Sequence, residues 1–168
     1  MNLSNTYSLI VDKGYRAVLI EGSPKRFKDL LKTYHGNERV VPLNAMVGFD
    51  RESSLDRLLE KTEIPDDFDL LSIDIDGNDY HVWQAVEDYK PKAVVIEFNP
   101  TIPKQVEFVQ PRDTSLMQGS SLLAISKLGK SKGYELVSAT ASNGIFVAEQ
   151  YFPMFGIADN SVNVLWTD

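Results

Sequence analysis

Three carboxylates follow one short apolar segment of the sequence. In LLSIDIDGNDY (70–80), Asp74, Asp76 and Asp79 come at or just after an alternation that is typical of a strand. Acids and Asn in this place also cap the helix that follows, and we expect Asp79 or Asn78 to take that role. Asp74 and Asp76 remain candidates for chemistry. An EF-hand is excluded because alignment on the glycine puts Trp83 at the bidentate Glu position.

A second segment, KAVVIEFNP, ends in Glu97 and Asn99. Carboxylate and amide oxygens are the ligands that Mg²⁺ prefers, and a bound cation lowers the pKa of a chelated hydroxyl group. Capping remains the alternative for each acid alone. Their recurrence after two strands favours a site, with these candidate metal ligands: Asp74, Asp76, Glu97 and Asn99.

His81 lies two residues after Asp79. Its ordinary pKa near neutrality suits a general base, so we name His81 and Asp74 as candidate catalytic residues. The alternative for His81 is a surface or half-buried histidine on the first turn of a helix, which has no chemical role.

These residues must be positioned by regular elements, and the chain alternates helices and strands. Strand-like segments are separated by amphipathic helices, several of which begin at a serine. Residues 99–119 have no clear periodicity, and we expect acceptor recognition in this loop, which carries Phe108, Arg112 and Met117. The predicted strands are RAVLIE (16–21), ERVVPLNAMV (38–47), DLLSID (69–74), KAVVIEF (92–98), YELVSAT (134–140) and NGIFV (143–147).

Alternation of this kind predicts an α/β fold with a mostly parallel sheet, helices on both faces and an antiparallel C-terminal strand. The first strand, RAVLIE, is expected to be buried on both faces. In such sheets ligands bind beyond the carboxyl ends of the strands. Strand-ending acids should therefore meet at one edge.

Glu21 is the single residue that most clearly indicates a binding function. In dinucleotide-like folds an acid at a strand end accepts hydrogen bonds from ribose hydroxyls, about 20 residues after a glycine-rich turn. Counting back by that amount reaches Met1. We therefore expect that the glycine turn and its strand are missing, and that the tail 148–168, another chain or a rearranged sheet substitutes for that strand.

Several blocks of the sequence resemble the FkbM-type S-adenosylmethionine-dependent methyltransferases, a branch of the class I Rossmann-like enzymes. The most specific blocks are LIEGSPKRF and LLSIDIDGNDY. LNAMVG lies between them, and KAVVIEFNP and the segment from GSSLLAIS to NGIFV come after them, in the order that the family has. The resemblance implies a single methyltransferase-like domain over residues 1–168, built as a Rossmann-like three-layer sandwich without the family's first strand.

The resemblance also implies roles for particular residues. Glu21 would hold the cofactor ribose, Asn44 and Ala45 would lie beside the adenine, and Asp74 would lie near the methionine and the substrate. S-adenosylmethionine is the expected cofactor, and Mg²⁺ is a further candidate. The expected reaction is O-methylation of a small molecule or sugar.

Two other functional classes stay open. An NAD-type enzyme could use Glu21 equally well, but no tyrosine has a lysine four residues later, as short-chain dehydrogenases require. A degenerate or truncated, non-catalytic Rossmann-like domain is the other alternative. For that class, homo-oligomerisation or strand donation is expected.

Composition limits the partners and the compartment. The 168 residues include 17 basic and 24 acidic side chains, a formal charge of −7, which argues against nucleic acid. Cysteine is absent, and neither a signal peptide nor an apolar run long enough for a bilayer is visible. We expect a cytoplasmic protein that acts on a small-molecule or glycan acceptor and has no membrane partner.

Overall fold

The computed structural model describes residues 4–167, and the chain divides into two compact units. Unit 1 is Met1–Pro65 and unit 2 is Asp66–Asp168. Each unit has its own sheet, so the prediction of one continuous sheet is not met in the described residues. The single domain inferred from the family resemblance stays a prediction. None of the helices described is long and apolar enough to cross a membrane.

Unit 1 alternates helices and strands. Its two strands pair in parallel, with Ala17 opposite Val40 and Glu21 opposite Asn44, so the carboxyl ends of both strands lie at the same edge. The elements are α1 (Tyr7–Val11), β1 (Ala17–Glu21), α2 (Pro24–Thr33), β2 (Val40–Asn44) and α3 (Leu55–Leu59).

The first strand differs from its prediction. We expected β1 to be buried on both faces, but all five of its residues are only half-buried. Its sheet has two strands, so each strand has a single ladder of hydrogen bonds within the sheet. Pro42 is accommodated in β2 because an edge strand does not need every backbone donor.

Unit 2 contains a four-stranded sheet in the order β3-β4-β6-β5. Strands β3 and β4 are parallel, whereas β6 runs antiparallel to both β4 and β5. The prediction of a mixed α/β fold with a mostly parallel sheet and a reversed C-terminal strand is confirmed at this level. The elements are β3 (Leu70–Ile73), α4 (Asp79–Ala85), β4 (Ala93–Glu97), α5 (Leu122–Ser131), β5 (Tyr134–Ala139), β6 (Asn143–Ala148), a 3₁₀ helix (Glu149–Phe155) and α6 (Val162–Leu165).

Three helices begin at a serine whose hydroxyl oxygen accepts a backbone hydrogen bond three residues later. Ser23 accepts from Arg26 at 3.4 Å, Ser54 from Arg57 at 3.3 Å and Ser121 from Ala124 at 3.2 Å. Each bond satisfies one of the free N–H groups of the first turn. These caps explain why the starts of α2, α3 and α5 were readable from the sequence.

Aromatic side chains pack against one another in the core of unit 2. The Trp83 ring packs against Phe146 at 5.1 Å and edge-on against Tyr134 at 5.7 Å. Gly129 of α5 leaves the room that the indole needs, because a Cβ there would lie 2.8 Å from Trp83 Cη2. The helix containing Trp83 is thereby fixed on the sheet that carries Glu97.

The C-terminal tail forms helical turns rather than the substitute strand considered above. Within residues 149–167 it consists of the 3₁₀ helix and α6. Trp166, just after α6, packs edge-on against Phe98 at a centroid distance of 5.0 Å. This apolar contact, which supports the residue directly after Glu97, explains why the tail lies in unit 2.

Candidate functional site

The turn after β3 brings its acids out of the core. Asp76 has φ 59°, in the left-handed region that Asp tolerates better than most residues. The Asp79 carboxylate, 3% exposed, accepts hydrogen bonds from the N–H groups of Ile75 at 3.0 Å and Gly77 at 2.9 Å. Asp79 therefore holds the turn in which Asp76 sits.

The cap predicted at Asp79 or Asn78 is partly confirmed. The N-cap position belongs to Asn78, whose side chain makes no capping bond, and Asp79 begins α4. The Asp79 oxygens bond backwards to the turn, so Asp79 shapes the site.

Three carboxylates at the ends of β3 and β4 come together as predicted. One oxygen from each of Asp74, Asp76 and Glu97 lies within 4.8 Å of the others. We call these three residues the acid cluster.

The acid cluster changes the proton affinity of its members. Partial burial, followed by repulsion from Asp74, Asp79 and Asp76, raises the pKa of Glu97 to about 7. Burial and the nearby Asp76 also raise the pKa of Asp74. Burial raises the pKa of Asp79, although its hydrogen bonds from backbone N–H groups oppose the shift. Glu97 thus exchanges a proton near neutral pH.

A cavity of about 380 Å³ lies beside the acid cluster. Among the described residues, the lining includes three acids and no lysine, arginine or histidine, and the remainder of the wall comes from Gly77 and two segments, 98–100 and 117–119. A negative cavity of this size disfavours phosphorylated or carboxylated ligands. It suits a neutral hydroxylated molecule or a cation.

The acid cluster fits a divalent cation in size and ligand type. Oxygens on opposite sides of one Ca²⁺ lie about 4.6–5.2 Å apart, and around Mg²⁺ about 4.0–4.2 Å apart. The 4.8 Å span therefore fits Ca²⁺ without movement. It fits Mg²⁺ if the oxygens take neighbouring positions around the ion or move slightly closer together. Either ion would need further oxygens, such as water.

Asn99, the fourth predicted metal ligand, serves as an anchor for its loop. Its Oδ1 accepts hydrogen bonds from the N–H of Thr101 at 2.8 Å and the Thr101 hydroxyl at 2.7 Å. Its Nδ2 donates to the carbonyl of Gln118 at 2.7 Å. The metal role of Asn99 stays a prediction, and its oxygen is already engaged.

His81, the predicted general base, lies in α4 and is only 6% exposed. Its Nε2 is 2.6 Å from the carbonyl oxygen of Gln110, so that nitrogen carries a proton and donates. The described residues that line the cavity do not include His81. This placement favours a structural role for His81, although the side chain is buried and not at the surface or half-buried as that alternative had it.

The predicted cofactor residues Glu21, Asn44 and Ala45 lie in unit 1, at the carboxyl ends of β1 and β2 or just after. Glu21 Oε1 accepts a hydrogen bond from the N–H of Ser23 at 2.7 Å, and Asn44 Nδ2 donates to the Glu21 carbonyl at 2.7 Å. Among residues 4–167, Glu21 Oε2 has no hydrogen-bond partner. Ala45 directly follows β2 and is half-buried.

The predicted recognition loop contributes to the cavity through one of its three named residues. Met117 lies in the cavity wall and is 78% exposed. Arg112 instead bonds Gln84 of α4 at 3.0 Å, and the main chain of Phe108 bonds Ser121.

Sequence reasoning missed the parts of the site that depend on long-range contacts. Gln110, fully buried, and Gly77, with φ 142°, both support the wall. The glycine directly after Asp76 was the available signal for a special turn. No local pattern marked Gln110.

Comparison with known proteins yields no relative. No family model, no curated protein and no solved structure matches the chain. The resemblance of LIEGSPKRF and LLSIDIDGNDY to the FkbM-type methyltransferases therefore stays a prediction, and the function must be inferred from the residues themselves.

Proposed function

We propose that this chain is an S-adenosylmethionine-dependent methyltransferase that acts on a hydroxyl oxygen of a neutral small molecule or sugar. The proposal gives separate tasks to the two units and rests on the geometry inside each. It includes a Rossmann-like three-layer fold, which is supported by the two parallel strand pairs and the reversed strand β6.

The observation that carries the proposal is the state of Glu21. Its carboxylate ends a parallel strand and is held by the Ser23 N–H through Oε1, which leaves Oε2 to accept from a ligand. A fixed carboxylate of this kind suits the two neighbouring hydroxyls of a ribose. Asn44, held against Glu21 across the strand pair, places the Asn44-Ala45 turn at the same edge.

The residues of unit 1 fit the ribose and adenine end of the cofactor. Glu21 would accept from the ribose, and the Asn44-Ala45 turn would border the base. Met46, 73% exposed, lies over Gly22, where a Cβ would be 2.3 Å from the Met46 sulfur. This close approach offers an apolar surface at the same edge. When bound, S-adenosylmethionine would supply an activated methyl group.

The acid cluster would manage the proton of the acceptor hydroxyl. Glu97 has a pKa of about 7, so near neutral pH it accepts a proton more readily than an ordinary carboxylate does. A divalent cation held by Asp74, Asp76 and Glu97 is the alternative way to acidify the hydroxyl. The absence of basic residues from the cavity lining, as far as residues 4–167 form it, supports a neutral acceptor.

The experiment that tests the cofactor is a calorimetric titration with S-adenosylhomocysteine and, in parallel, with NAD. We expect binding of the homocysteine product, loss of that binding in Glu21→Ala, and no effect of Glu38→Ala, which removes an exposed acid from the same unit. Binding of NAD instead would favour the dehydrogenase class. A folded protein that binds neither would contradict the proposal.

A second measurement tests the reaction. Turnover of S-adenosylmethionine would be followed with a panel of neutral sugars and with the corresponding sugar phosphates. Neutral sugars should be preferred, and Glu97→Gln should reduce turnover by about 10²-fold or more if Glu97 is the base. Glu107→Gln, an exposed acid of the loop, is the matched control.

A further inference from the structure

One fully buried glutamine lies behind the loop wall of the cavity. Gln110 has 0% of its surface exposed, although it lies in a segment without regular secondary structure. A buried amide is costly unless its polar atoms are bonded. Every polar atom of Gln110 has a hydrogen-bond partner.

The side chain of Gln110 forms hydrogen bonds with three consecutive peptide groups of one main-chain segment. Its Oε1 accepts from the N–H groups of Gln118 at 2.8 Å and Gly119 at 2.7 Å. Its Nε2 donates to the carbonyl of Leu116 at 3.1 Å. Residues 117–119 line the cavity, so this one amide holds the wall from behind.

The same residue connects the wall to the turn that carries Asp76. A Cβ at Gly77 would lie 3.1 Å from Gln110 Oε1, 3.0 Å from the Leu116 carbonyl oxygen and 3.0 Å from Met117 Cα. The segment therefore rests directly on the glycine of the acid turn. The carbonyl of Gln110 also receives the hydrogen bond from His81, which ties the segment to α4.

We propose that Gln110 is a positioning residue: it fixes residues 116–119 against the Gly77 turn and so sets the shape of the cavity beside the acid cluster. The inference rests on the proposed function only in taking this cavity as the acceptor site. It also gives His81 a task, because the His81 bond holds the main chain of Gln110 rather than moving a proton.

The chemistry of the side chain explains why an amide is needed. Two N–H donors and one carbonyl must be satisfied together, and a glutamine supplies an acceptor oxygen and a donor nitrogen at the right length. Methionine would fill a similar volume without either bond. Glutamate would keep the acceptor oxygens and lose the donor to Leu116.

Hydrogen exchange measured by NMR tests the role of Gln110 in a sample that contains neither cofactor nor substrate. In Gln110→Met the amides of Gln118 and Gly119 should exchange about tenfold faster or more, since both lose a buried acceptor. Gln110→Glu should restore most of the protection. The core amide of Val94 reports global opening, and Leu136→Ala, which removes another buried side chain, provides a variant with lowered global stability.

The comparison of local with global protection is the readout that a merely destabilising change would not reproduce. In Gln110→Met the amides of Gln118 and Gly119 should lose more protection than the amide of Val94, whereas in Leu136→Ala they should lose no more than Val94 does. Unchanged protection at Gln118 and Gly119, or a loss no larger than that at Val94, would overturn the proposal. A chain that binds no S-adenosylhomocysteine but shows the local loss would overturn the proposed function alone.

Discussion

One carboxylate oxygen of Asp76 and one of Glu97 lie within 4.8 Å of each other. The turn after β3 and the end of β4 thus bring their acids together. Partial burial and the neighbouring acids favour the neutral form of Glu97 more than a weaker interaction with the Asp76 backbone favours the charged form, so the pKa of Glu97 rises to about 7. Glu97 therefore gains or loses a proton near neutral pH in a cluster that also fits a cation.

The raised pKa of Glu97 predicts how stability depends on pH. The folded state binds the proton more tightly than the unfolded state, so stability is highest below pH 4.5 as far as Glu97 contributes, and falls as pH rises to about 7. Glu97→Gln should remove this fall and be more stable than the wild type above neutral pH. Urea unfolding across this pH range checks it, and a wild-type stability that rises through the same range in parallel with the variant's would contradict it.

Cation binding should depend on pH in the opposite sense. A divalent cation competes with the proton on Glu97, so Mg²⁺ or Ca²⁺ should bind more tightly as pH rises through about 7 and should release a proton when it binds. Calorimetry in buffers of different ionisation enthalpy measures this release. Asp76→Asn should abolish binding, whereas Asp159→Asn, an exposed acid elsewhere in unit 2, should leave it unchanged.

Gly77→Ala should destabilise the protein by about 2 kcal/mol or more, because strain and overlap add. Its φ is 142°, and the new Cβ would meet the main chain of Leu116 and Met117 at 3.0 Å. Gly133→Ala is the matched control, since its φ is 81° with no atom within 4 Å, and it should cost only about 1 kcal/mol. Denaturant unfolding measures the loss of stability in both variants. Equal losses would show that the main chain at Leu116 and Met117 moves to accommodate the new Cβ.

Gly129→Ala should change the stability of the protein through two opposing effects, helix propensity and core packing. In the interior of α5 alanine is favoured over glycine by about 1 kcal/mol. The Cβ would lie 2.8 Å from Trp83 Cη2 and 3.1 Å from Phe146 Cδ1, which costs about 1–3 kcal/mol in a packed core. We expect net destabilisation, which should be smaller in a Trp83→Phe background. A double-mutant cycle of thermal unfolding measures the coupling, and additive effects would contradict it.

Local signals predicted the elements well, because their causes are local. Serine caps marked the starts of α2, α3 and α5, apolar alternation marked β3, and a short aliphatic run marked β4. The meeting of Asp74, Asp76 and Glu97 followed from one rule, that parallel strands end at the same edge.

The remaining features depend on contacts between distant residues. Whether β1 joins a neighbour other than β2 is decided by long-range pairing, which a strand pattern does not encode. Asp79 looked like a cap because its position fits one, yet its oxygens bond backwards to Ile75 and Gly77. Gln110 had no signal at all, because its partners lie up to 29 residues away at His81.

The position of β6 has a consequence for the order in which unit 2 can assemble. Strand β5 pairs only with β6 among the described residues, and β6 also covers the free edge of β4. As the chain leaves the ribosome, β4 must wait for residues 143–148 before its second ladder can form, and β5 has no partner until then. We expect the β5–β6 hairpin to form first and to close onto β4 as a preassembled piece, so nascent chains that stop before Asn143 would expose an aggregation-prone edge.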